Sequence, residues 1–406
     1  MTHNLAEPMA LQARLLNIDI IRGIALLGIL LMNIQAFSMN FSAYSNPTAF
    51  GDLTGVNFYV YYLSHLFADQ KFMTIFSILF GVGIVLMADN IEKKGGNPAK
   101  VHYKRMFILA VFGMLHAYLL WFGDILFPYA IAGMIAYIAR NKSVKFLLIT
   151  AFLSIGFCSL LMYLISFAIP FMEEADIQNL LAMWAPTQEM IDKDILVNQA
   201  SWLGQMEHRN FMASKMQSNV LFYLFRIVGL MMIGMAFFKL DFFGKRFSNK
   251  NLAISAAITL ALGLYLIING NQANFASGWP IDSMLAGIQY NYWGSILMAY
   301  SYMSLLIIFC RSSAFIKIKN LLANVGKMAL TNYLSHTLIC GFIFYGWGLG
   351  FYGTVERSEM LLVVIGVWLF QLFFSSFWMA RFQFGPFEWL WRSMTYGKRQ
   401  PLKRTA

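Results

Sequence analysis

Gly113-Met-Leu-His116-Ala-Tyr-Leu-Leu-Trp121-Phe-Gly123-Asp124-Ile-Leu-Phe-Pro128-Tyr-Ala-Ile-Ala-Gly133 sets a histidine and a carboxylate between two apolar runs. Each run is long enough to be read as a membrane helix, so the stretch reads as span, turn, span. An ionisable group held in such a setting costs several kcal/mol unless it is paired or wetted, which makes His116 and Asp124 the first candidates for function.

The rest of the chain has the same character. Of 406 residues, 59% are hydrophobic and 12% charged, and mean hydropathy is +0.60, too apolar for a soluble globular protein. Apolar length predicts ten spans, at about 18–39, 57–88 (broken near Asp69–Lys71), 104–122, 125–139, 144–170, 218–238, 251–270, 283–309, 323–345 and 359–380. The expected fold class is therefore an all-α polytopic membrane protein, one transmembrane helical domain over 1–406 with the lipid bilayer as its solvent.

Residues 1–17 lack the apolar core and cleavage site of a secretory signal, so the first span reads as a retained anchor. The net charge of +11 is distributed in clusters between alternate spans. That is the pattern of cytoplasmic loops, and nucleic acid is not an expected partner. No basic residue falls in 40–56 or 270–290, and 171–217 is acidic. Both termini are thus expected in the cytoplasm.

The 171–217 connection, with Ile177, Leu180, Leu181 and Trp184 on one helical stripe, reads as an extracytoplasmic helical cap, either a lid over a site or a surface-lying pair. Residues 384–406 read as a cytoplasmic interfacial helix and tail, with Phe387, Leu390, Trp391 and Met394 on one face and Glu388 set to pair with Arg392; anchoring is its expected role. The three cysteines offer neither a disulfide framework nor a metal motif.

Asp19 and Arg22 share a face of the first span, and Asn33 lies eleven residues beyond Arg22. Arg105 precedes His116 by the same eleven residues, about 16 Å of helix. Two such stripes suggest a polar corridor. In the ninth span Asn324, Lys327, Thr331 and Ser335 form one stripe, Asn332 and His336 another, an arc too polar to face lipid. Asp124 also suits a helix N-cap, with Pro128 in the first turn. It meets His116 only if Gly123 lets the chain turn back.

Several strings together resemble one family: Leu16-Asn-Ile-Asp19-Ile-Ile-Arg22-Gly23 with Met32-Asn33, Phe76-Ser-Ile-Leu-Phe-Gly81, Leu115-His116 through Gly123-Asp124, Gly326-Lys327 through Thr331-Asn332-Tyr333, and Phe384-Gly-Pro-Phe-Glu388-Trp-Leu-Trp391-Arg392 through Gly397. They are similar to the bacterial YeiB family, grouped with transmembrane acyltransferases that include the heparan glucosaminide N-acetyltransferases. The resemblance implies a multi-pass protein of the bacterial inner membrane that moves an acyl group from cytoplasmic acyl-CoA, acetyl-CoA in the expected case, to a hydroxyl or amine of an extracytoplasmic acceptor such as an envelope glycan. It implies a membrane-embedded catalytic histidine, carried onto His116.

Acyl transfer needs a base, oxyanion donors and a grip on phosphates. The expected set is His116 as base with Asp124 orienting it, Asn33 or Asn332 at the oxyanion, Arg22, Arg105 and Lys327 at the donor phosphates, and Asp19 and His336 in reserve, with no metal. A homodimer is a further expectation. The competing class is a small-solute transporter that uses the same polar residues.

Overall fold

The computed structural model describes residues 7–404, so part of the 1–17 segment lies outside it. In chain order the helices are α1 (Glu7–Ser38), α2 (Ser42–Ser45), α3 (Gly55–Phe67), α4 (Lys71–Glu92), α5 (Pro98–Leu119), α6 (Leu126–Ile138), α7 (Val144–Ala168), α8 (Glu174–Trp184), α9 (Gln188–Asn198) and α10 (Met206–Ser218). They continue as α11 (Val220–Lys239), α12 (Asn249–Ser277), α13 (Gln289–Arg311), α14 (Ile316–Lys327), α15 (Ala329–Phe344), α16 (Arg357–Arg381) and α17 (Pro386–Tyr396).

Among the described residues seven helical segments are long and apolar enough to cross a bilayer, and α6 and α15 are shorter apolar helices. The chain is an all-α polytopic membrane protein. Its outer helices show little burial, 22% of the most apolar window in α7 and in α12, whereas 61% of that in α1 is buried. Lipid therefore covers α7 and α12, and α1 belongs to the centre with α4, which packs on α1, α11 and α13. At 1.5 Å per residue, α6 and α15 reach only about 20 and 24 Å, short of a roughly 30 Å hydrocarbon layer. Both are buried along most of their length, so their ends meet protein.

Two breaks matter. The first lies where the sequence suggests, with Gln70 left-handed (φ 62°) between α3 and α4. The second overturns an expectation. The single span over 323–345 is two helices, parted at Met328. Without a continuous helix, the Asn324–Lys327–Thr331–Ser335 stripe does not exist as one face.

The 171–217 connection forms three helices, α8 to α10, rather than a pair. Its apolar stripe faces inward, with Trp184 buried and donating from Nε1 to the Trp279 carbonyl at 2.9 Å. Asp194 fastens the cap below, accepting from Asn40 Nδ2 at 2.9 Å and from the Tyr352 hydroxyl at 2.7 Å. Arg209 Nε and Trp202 Nε1 donate to the Tyr118 and Leu119 carbonyls at the end of α5, at 2.9 and 2.8 Å.

Helix α17 also departs from expectation. Glu388 does not pair with Arg392; its carboxylate accepts from the Leu330 and Thr331 amides at 2.6 and 3.1 Å and from the Thr331 hydroxyl at 2.6 Å. It supplies the N-terminal cap that α15 lacks, since Met328 has no side chain able to cap. Burial pushes the Glu388 carboxyl above its ordinary value, against the pull of the Thr331 hydroxyl and the two amides. The expected apolar face splits: Trp391 is buried and Phe387 packs beside it, while Leu390 and Met394 are exposed.

Candidate functional site

The turn between α5 and α6 brings His116 back onto Asp124. His116 Nδ1 and Asp124 Oδ1 are 2.9 Å apart, and both side chains are almost wholly buried. Asp124 Oδ2 accepts from the Phe127 amide at 2.7 Å, so the carboxylate caps α6 as the sequence suggests while also holding the histidine. The reason the turn closes is different from the one expected. Gly123 is needed for room, since a Cβ there would strike the Trp121 ring at 2.5 Å. The close approach is made by Gly113, one turn below His116, where a Cβ would meet the Phe127 amide nitrogen at 2.4 Å and Asp124 Oδ2 at 2.7 Å.

On its other side His116 Nε2 lies 2.8 Å from the Thr337 hydroxyl of α15. A carboxylate only accepts, so Nδ1 carries a hydrogen; in the neutral imidazole Nε2 then offers a lone pair to which Thr337 can donate. The Tyr333 ring, one turn earlier on α15, stands 5.3 Å from the imidazole. Its hydroxyl accepts from the Ile125 amide at 3.2 Å. Thr337 and Tyr333 were not candidates by sequence. Their i, i+4 spacing marks a common face, distinct from that of Asn332 and His336.

A cavity of about 310 Å³ runs from the end of the bundle that bears the basic loops toward this pair. Phe76, Phe80, Met106, Leu109 and Leu126 form its apolar walls, and Ile125 and Tyr333 also line it. Arg22, Arg105 and Lys327, set on three different helices, line it together, with Arg392 as a fourth cation. Arg22 is held by Asp19 at 3.0 Å. Among the described residues Arg105, Lys327 and Arg392 have no carboxylate within salt-bridge distance. Arg105 instead lies 3.8 Å over the Trp391 ring, whose Nε1 donates to the Arg105 carbonyl at 2.9 Å. Helix α17, expected to be an anchor, is thus part of the cavity wall.

Other expected members lie elsewhere. Asn332 donates to the Val325 carbonyl at 3.2 Å and to Ser375 Oγ at 2.9 Å. His336 Nε2 pairs with Gln371 Oε1 at 3.0 Å. Asn332 is thus engaged with α14 and α16 and His336 with α16, and neither is among the residues that line the cavity. Asn33 is half-buried on α1, and no hydrogen bond ties it to His116 or Asp124 among the described residues.

Residues 236–398 match the family model described as protein of unknown function (DUF418). The chain is 30% identical to the uncharacterized protein YeiB of Escherichia coli (strain K12) across 94% of this chain and 96% of that protein. It is 29% identical to the uncharacterized protein YxaH of Bacillus subtilis (strain 168), across 98% of each. Identity is 25% with an uncharacterized 39.9 kDa protein in the amylase 3'region of Bacillus acidopullulyticus, again across 98% of each. No solved structure matches.

Proposed function

The chain belongs to the YeiB family, and from that footing we propose that it is an acyl-CoA-dependent acyltransferase of the bacterial cytoplasmic membrane. One observation carries the reading: cations without carboxylate partners converge on the mouth of an apolar cavity whose far end meets the ring that touches His116. Partly exposed positive charge gathered around a cavity mouth, most of it without a carboxylate partner, calls for an anion, and guanidinium groups suit phosphate oxygens.

The nucleotide phosphates of acyl-CoA bind Arg22, Arg105, Lys327 and Arg392 from the cytoplasm. The pantetheine arm follows the apolar walls inward over the roughly 16 Å that separates Arg105 from His116 along α5. The thioester then lies beside Tyr333. His116 is the base, and Asp124 fixes its tautomer and steadies the imidazolium that forms. With Asn332 engaged elsewhere, the Tyr333 hydroxyl, whose bond to the Gly123 carbonyl is long at 3.5 Å, takes the oxyanion role. The acceptor, a hydroxyl or amine of an extracytoplasmic carbohydrate or similar molecule, enters from under the cap of α8 to α10.

Calorimetry on detergent-purified protein tests the donor site. Acetyl-CoA is expected to bind, and Arg105→Ala to weaken it about five- to tenfold, the loss of roughly 1–1.4 kcal/mol. No binding of any acyl-CoA would sink the proposal.

A transporter reading draws on a different cluster, at the break between α3 and α4. There Asn291 bridges Asp69 at 2.6 Å and Lys71 at 2.6 Å, and His65 Nε2 lies 3.5 Å from Asp69. Broken helices with buried charge are common at transport sites. Solute uptake into vesicles that is abolished in Asp69→Asn would favour it.

A further inference from the structure

Nearly every Ser or Thr hydroxyl within a helix has a local outlet in a carbonyl three or four residues back. Ser38, Thr259 and Thr395 use it. Thr337 does not: its hydroxyl crosses to another helix and occupies the one free lone pair of His116. Asp124 Oδ1, His116 Nδ1, His116 Nε2 and Thr337 Oγ1 form a chain with spacings of 2.9 and 2.8 Å, and all three side chains are buried. With the ring neutral, Thr337 is the group placed to hand a proton to Nε2. That is the relation of acid, base and nucleophile found in hydrolytic triads.

The surroundings add a second observation. Below, Tyr333 separates the trio from the cavity. Above, Trp121 stacks on Phe37 with centroids 4.0 Å apart, and both are buried. The trio is sealed from both ends, so donor and acceptor do not meet there at once unless both seals open together.

Resting on the acyltransferase reading, we propose that Thr337 is the acyl-carrying nucleophile, and that transfer proceeds through an acyl-threonine ester. In the first half, Thr337 Oγ attacks the thioester carbonyl carbon; a C–O bond forms, the C–S bond breaks, and the hydroxyl proton passes to His116 Nε2 and from there to the departing thiolate. CoA leaves as the free thiol. In the second half, the acceptor oxygen or nitrogen attacks the ester carbon, its proton passes to Nε2, and the Thr337 alkoxide recovers that proton as it leaves. One seal opens in each half. Neither half consumes an oxidant, a reductant or any molecule beyond donor and acceptor.

The test is to incubate the purified full-length protein with acetyl-CoA and no acceptor, then map acetyl groups by peptide mass spectrometry. Wild type and Thr337→Ser are expected to carry one acetyl ester at position 337, chased off by adding an extract of envelope glycans. Thr337→Val, close in shape, should carry none, and should release thiol from acetyl-CoA about a hundredfold more slowly while binding it as wild type does. Thr337→Val that transfers at the wild-type rate, or an acetyl group found on His116 in wild type, would overturn the nucleophile and leave the acyltransferase standing. Acetyl-CoA that binds but never yields free thiol, with or without acceptor, would overturn both.

Discussion

His116 and His336 are equally buried and both hydrogen-bonded, yet they stand in opposite relations to the cavity. His116 is gripped from both nitrogens by residues of other elements, at the end of a channel lined by cations. His336 shares its face of α15 with Asn332, and the amides and hydroxyls of Gln371, Ser335 and Ser375 knit that face to α16. Burial of an imidazole is therefore no guide to its role. What separates the two is that a single ring, that of Tyr333, stands between His116 and space a ligand can fill, whereas His336 turns to Gln371 of α16.

The sharpest break of this contrast is by substitution. His116→Gln is expected to lower acyl transfer by about 10²–10⁴-fold, the range of a lost general base, with donor affinity held. Transfer per folded molecule measured on the purified variant checks this. His336→Ala should do the reverse, lowering stability by about 1–3 kcal/mol through the stranded Gln371 amide while each folded molecule keeps its turnover. A melting curve paired with the same assay reads both.

A smaller effect is expected at Glu388, which serves the fold near the cavity. Glu388→Ala uncaps α15 and should cost about 1 kcal/mol. Because burial raises this carboxyl above its ordinary range, its stabilising contribution is full below about pH 4 and falls as pH climbs through the raised value. The gap in melting temperature between wild type and variant should therefore narrow as pH rises through that value.

Apolar length was enough to read the fold class and the break near Asp69, because both follow from local composition. Eleven-residue spacing put Arg105 with His116 and Arg22 with Asn33 on two stripes; Arg105 and Arg22 line one cavity, whereas His116 and Asn33 are not among its lining residues. Long-range pairing was not legible. The hydrogen bond from Thr337 to His116 joins residues 221 positions apart, and nothing in either neighbourhood announces it. The break at Met328 was hidden by the apolar run around it, since its cap comes from Glu388, 58 residues further on from Leu330. For the same reason α17 read as a membrane anchor, although its Trp391 lies beneath Arg105. Positions whose partners are distant in sequence were misread, and positions decided by their own turn of helix were not.

Nuclear magnetic resonance of histidine-labelled protein, with His116→Gln and His336→Ala used to assign the two rings, tests directly which imidazole the cavity serves. On saturation with acetyl-CoA, the His116 ring resonances should move and those of His336 stay. Acetyl-CoA that binds and shifts His336 while leaving His116 unmoved would contradict the placement of the chemistry at the Asp124–His116–Thr337 chain.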